Sequence, residues 1–137
     1  MSRGMIWTGR VLSGLAALFF AFDTGIKLLQ MPVAVDSTVQ LGYTAAAVPV
    51  IGVIEAACLL LYLVPRTAVL GALLFTAFLG GAVASHLRHG DGVFGFVLAP
   101  VYFGLVLWAG LWLRDGRARM LTTYDPRAAA SGAPARV

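Results

Sequence analysis

The sequence predicts an all-α integral membrane protein, a four-helix bundle, on three observations. Hydrophobic residues make up 60% of the 137 positions and charged residues only 12%, far from the balance of a water-soluble fold. The apolar residues form long runs punctuated by proline, glycine or short polar stretches. Inside those runs the ionisable residues reduce to Asp23, Lys27 and Glu55, with His86 closing another run. A charge at the centre of a bilayer costs at least about 2.5–3.5 kcal/mol on insertion scales, so such residues are expected to face one another, a cavity or water.

The first span is expected over about Ile6–Met31, because Pro32 cannot continue it and biases Met31 away from helical angles. Arg3 and Arg10 ahead of the apolar stretch Val11–Phe22 imitate a secretory leader. No small-x-small cleavage site follows, however, and apolar character resumes through Ile26, Leu28 and Leu29, so the segment is expected to be retained as a span. Val33–Thr44, with Asp36, Ser37, Thr38, Gln40 and the turn-like Leu41-Gly42-Tyr43, reads as an external loop with room for a short surface helix.

The second span is expected over about Ala46–Val64, with Pro49 tolerated in its first turn and Glu55 near its middle. Pro65-Arg66-Thr67 is so short that the second and third spans must form an antiparallel hairpin, with Thr67 as a candidate N-cap. The third span is expected over about Ala68–Leu87, ending at Arg88-His89-Gly90-Asp91-Gly92, and the fourth over about Val93–Leu113, kinked by Pro100. Residues 1–114 thus form one four-helix domain, and residues 115–137 a tail expected to be disordered toward its end.

With four spans, Arg3, Arg10, Arg66, Arg114, Arg117 and Arg119 fall on one side and Arg88 alone on the other, which predicts cytoplasmic termini. Trp7, Trp108 and Trp112 are expected at the inner interface, with Tyr43 toward the outer. The net charge of +4 does not indicate nucleic acid, since the arginines sit at span ends without interleaved aromatics. Cys58 is the only cysteine, which excludes an intrachain disulfide and a Cys-x-x-Cys redox pair and leaves a small packing residue.

Association in lipid depends on close approach at small residues. Gly9, Ser13, Ala17, Ala21 and Gly25 in the first span, and Gly80, Gly81, Ala84 and Ser85 with Gly71 and Ala72 in the third, are therefore expected contact faces. Gly9, Ser13, Ala16, Phe20, Asp23 and Lys27 recur at three- and four-residue steps and mark one seam. Asp23 and Lys27 can neutralise each other, or Lys27 can extend toward the interface. Glu55 has no basic residue within a helical turn, so its charge state depends on whether Lys27 or Arg88 reaches it from another element. The expected result is one polar pocket of Asp23, Lys27, Glu55, His86 and Arg88. The bland alternative is a structural seam that only sets helix register. His86, His89 and Asp91 form a His-x-x-His-x-Asp string, but Gly90 is expected to part Asp91 from the histidines, so neither metal nor haem is expected there.

The stretches FFAFDTGIKLL and PVIGVIEAACLLLYLVPRTAVLGALLFTAFLGGAVASHLRHGD resemble the DoxX-like family of small bacterial four-helix membrane proteins. The likeness covers about Arg10–Arg114 and rests on Asp23 and Lys27, Gly52 and Glu55, Pro65-Arg66-Thr67, Gly80-Gly81-Ala82 and His86 with Arg88. It implies the fold and a bacterial inner-membrane location. Relatives linked to quinone-dependent redox complexes imply a subunit that binds quinone or another small ligand, or accepts a proton, for a membrane or soluble redox partner. Distant members resembling assembly chaperones imply the rival, a non-enzymatic scaffold. A solute carrier is disfavoured by the absence of internal repeats. Neither residues nor resemblance specifies an enzyme reaction, a ligand or an oligomeric state, and a homo-oligomer stays open.

Overall fold

The computed structural model describes residues 2–123, all helices and connections, with no strand among them. The four expected spans appear as α1 (Arg3–Leu28), α3 (Ala47–Leu63), α4 (Ala68–His89) and α5 (Ala99–Arg114), with a short α2 (Pro32–Gln40) and α6 (Gly116–Thr122). A π-helical turn, Val93–Val97, leads into α5. α1, α4 and the unit Val93–Arg114 are each long and apolar enough to cross a membrane, whereas α3 is apolar but only 17 residues long.

The boundaries follow from local chemistry. The Ser2 hydroxyl caps α1 by accepting from the Met5 N–H at 3.3 Å. α1 stops at Leu28, three residues earlier than expected, because Gln30 adopts a left-handed φ of 49° and reverses the chain. Pro32 then opens α2 in its first turn instead of merely ending α1. This α2 is the short helix for which the loop had room.

Thr67 stands at the N-cap position of α4 as expected, but its side chain makes no capping bond. Its hydroxyl turns back and donates to the Leu61 carbonyl at 2.8 Å, serving the open carbonyls at the end of α3. The last expected helix is broken before its proline. The π-helical turn ends at Val97, and Pro100 sits in the first turn of α5, where a missing N–H is harmless. In the tail, residues 116–122 are helical, while the part expected to be disordered lies outside the described residues.

α1 packs against α3 and α5, and α4 against the same two, so antiparallel neighbours close a ring around one core. Phe20, Tyr62, Phe75, Leu107 and Leu111 fill its centre. The small-residue faces are half as predicted. A Cβ on Gly9 would meet the Gly110 carbonyl oxygen at 2.8 Å, and one on Gly110 would meet Ser13 Oγ at 2.6 Å, so α1 and α5 touch backbone to backbone. A Cβ on Gly71 would run into the backbone of Tyr62 across the α3–α4 hairpin. At Gly25, Gly80 and Gly81, by contrast, a Cβ would meet nothing within 4 Å. These three do not form the expected contact face, because the glycines at which two backbones meet lie toward the hairpin end.

The same end gathers the basic side chains. Arg114 Nη2 donates to the Tyr62 carbonyl at 3.1 Å, and Arg117 Nη2 to the Pro65 carbonyl at 2.7 Å. Trp108, expected as an interface anchor, instead donates its indole N–H to Thr76 Oγ1 at 2.9 Å and ties α5 to α4.

Candidate functional site

At the other end of the bundle the α1 seam delivers Asp23 and Lys27, one turn apart, toward α3. Gly52 makes this approach possible. A Cβ there would stand 3.1 Å from Lys27 Cβ, so a larger residue would hold the two helices apart. One turn later on the same face of α3 comes Glu55, whose side chain is 0% exposed. Lys27 turns inward instead of extending to the interface. Its Nζ donates to Asp23 Oδ2 at 2.5 Å and to Glu55 Oε2 at 2.7 Å.

The triad holds two carboxylates and one ammonium, a formal excess of one negative charge when all are ionised. An ammonium has three N–H donors, and two are engaged with the carboxylates. The Phe78 ring face lies 5.7 Å from Nζ. Glu55 Oε1 is buried and has no hydrogen-bond partner among the described residues. Such an acceptor is satisfied by a proton on the carboxyl, by water or by a ligand donor.

Above the triad opens a cavity of about 660 Å³, within the range that holds small-molecule ligands. Asp23, Lys27, Ser85 and His86 supply its polar wall, and Phe20, Phe78 and Phe103 much of its apolar wall. Phe103 stacks on Phe19 with ring centroids 4.2 Å apart. Glu55 is not in the wall but lies behind Lys27. α2 covers one side through Ser37 and Thr38.

At the cavity rim, Gly90 takes a left-handed φ of 86° and folds Asp91 back on α4. His86 Nδ1 and Asp91 Oδ2 lie 2.6 Å apart, and His89 Nε2 is 3.8 Å from Asp91 Oδ1. The glycine therefore brings Asp91 to the histidines instead of parting them. The His86 ring also stacks against Phe96, centroids 6.2 Å apart.

Four of the five expected pocket residues thus gather: Asp23, Lys27 and His86 in the cavity wall and Glu55 behind it. Arg88 does not join them. Its Nη2 donates to the Leu41 carbonyl at 2.8 Å, strapping the end of α4 to the loop after α2. The helical repeat explains this, since Arg88 falls two residues from His86 and so points to another face of α4.

Tyr43, expected as an interface anchor, reaches the cavity instead, with its hydroxyl 2.6 Å from Ser85 Oγ. Nothing local signals that pairing. Tyr62 is not among the expected site residues. It is fully buried, bridging Ser13 Oγ at 2.9 Å and donating to the Leu107 carbonyl at 2.8 Å. Its signal was available, because it lies seven residues after Glu55 on the same face of α3.

The model of one protein family, described as the DoxX-like family, matches residues 11–110, a stretch that includes the triad and His86. Comparisons with curated proteins and with solved structures give no match.

Proposed function

This chain belongs to the DoxX-like family, and from that premise we propose that it is an inner-membrane protein of a bacterium that binds a small quinone-like ligand beside the Asp23–Lys27–Glu55 triad, as a subunit of a membrane redox complex. The observation that carries this reading is the pairing of an aromatic-walled cavity with a lysine that has one N–H beyond its two carboxylate bonds. A planar carbonyl-bearing head suits both features. Its ring stacks on phenylalanine, and its oxygen accepts from Lys27. Glu55 would hold or yield a proton behind the lysine, with His86 and Asp91 joining the pocket to the rim. In this reading the basic hairpin end and both termini face the cytoplasm and the cavity faces outward.

Mass spectrometry of small molecules retained by the protein in mild detergent is expected to find a quinone in stoichiometric amount. Glu55→Gln, which keeps shape and removes proton exchange, is expected to abolish partner-dependent quinone reduction. Retention of no quinone, or undiminished reduction by the variant, overturns the reading.

A second reading, a scaffold or assembly factor, draws on the fact that Lys27 already bonds both carboxylates and so can serve register alone. On that reading Glu55→Gln is functional, and bulky residues at the Gly9–Gly110 crossing break a complex.

A further inference from the structure

The cavity has a side wall as well as a rim. The side wall is built from Ile51 and Ile54 of α3 and Ala77, Gly81 and Ala82 of α4. Of these, Ile54, Ala77 and Gly81 are exposed as well as lining the cavity. Residues of antiparallel helices pair in opposite directions from any fixed contact. Starting at Gly71 beside Tyr62, Ile54 falls level with the turn Ala77–Gly81. The two helices are pinned so closely at Gly71 that no methyl fits, yet a Cβ on Gly81 meets nothing within 4 Å. Ile54 and Gly81 thus line the cavity from facing helices, with a gap beside Gly81 where a side chain is missing.

We propose that this gap is a lateral portal between α3 and α4, and that the ligand is an amphiphile whose head sits beside Lys27 while its single apolar tail leaves past Gly81 into the membrane. The inference rests on the ligand-binding reading above and adds the route and the tail. The exposed surface around the gap is aliphatic, with Val50, Val53, Leu73 and Leu74 on the neighbouring turns, so a tail in the gap stays in an apolar environment. The polar wall formed by Asp23, Lys27, Ser85 and His86 meets the head instead. Only the tail occupies the gap, so a head without a tail makes no demand on it, and tail and head are separable in binding.

Gly80 supplies the control. It adjoins Gly81, is equally open to a Cβ, and does not line the cavity. Purified protein in lipid nanodiscs is titrated with a benzoquinone bearing a decyl tail and with the same head bearing only a methyl group. Gly81→Trp is expected to weaken the decyl probe about tenfold or more and the methyl probe less than about twofold, with Gly80→Trp leaving both unchanged. Equal weakening of both probes by Gly81→Trp, no weakening of either, or the same loss from Gly80→Trp overturns the portal and leaves quinone binding standing. Failure of the unmutated protein to bind either probe removes the quinone reading and the portal with it. Ala77→Phe, on the same edge one turn earlier, answers the same question if Gly81→Trp folds poorly.

Discussion

The two ends of the bundle are built from the same apolar helices by opposite means. At the hairpin end, backbones meet at Gly9, Gly110 and Gly71 with no space for a methyl, and Tyr62 fills the remaining volume while bonding to Ser13 and Leu107. At the cavity end, glycines at 80 and 81 face open space, and the helices are held by a charged triad, the Arg88 strap and the Tyr43–Ser85 bond. Glycine thus does opposite jobs in one helix. Gly71 removes bulk so that α3 and α4 can touch, and Gly81 removes bulk so that they do not close. The difference teaches that small residues in a membrane helix mark either contact or vacancy, and only the crossing point decides which.

The largest effect should come from breaking the polar end. Lys27→Met leaves two carboxylates facing each other without a counter-ion and is expected to destabilise the bundle by about 3–5 kcal/mol, read from thermal or denaturant unfolding in detergent. Adding Asp23→Asn and Glu55→Gln to that variant should restore most of the loss. A triple variant as unstable as Lys27→Met would show that the lysine stem, not charge balance, holds α1 to α3.

Next comes the tight end. Gly71→Ala pushes a methyl into the Tyr62 backbone and is expected to cost about 1–3 kcal/mol, visible in folded yield and melting temperature. Tyr62→Phe removes the hydroxyl that serves Ser13 and Leu107 and should cost about 1 kcal/mol. Smallest of all is Gly80→Leu, for which no change in yield or melting is expected. A large loss there would erase the contrast between the two ends.

Much of this protein is legible without coordinates. The four apolar spans, the hairpin at Pro65-Arg66-Thr67 and the α1 seam from Gly9 to Lys27 follow from composition, proline positions and helical spacing, because these are local properties of the chain. The burial of Glu55 followed too, since a lone carboxylate in an apolar span must find a partner. Gln30 reversing the chain early and the π-helical turn ahead of Pro100 were not readable, as both answer to packing around them. Tertiary structure alone decided that Lys27 serves two carboxylates, that Arg88 leaves the pocket for Leu41, that Gly90 returns Asp91 to the histidines, and that Gly81 borders a gap instead of a contact. Periodicity assigns a residue to a face of its own helix, but distance to a neighbouring helix is set by where the two cross, and that is fixed by glycines and loops far away in the chain.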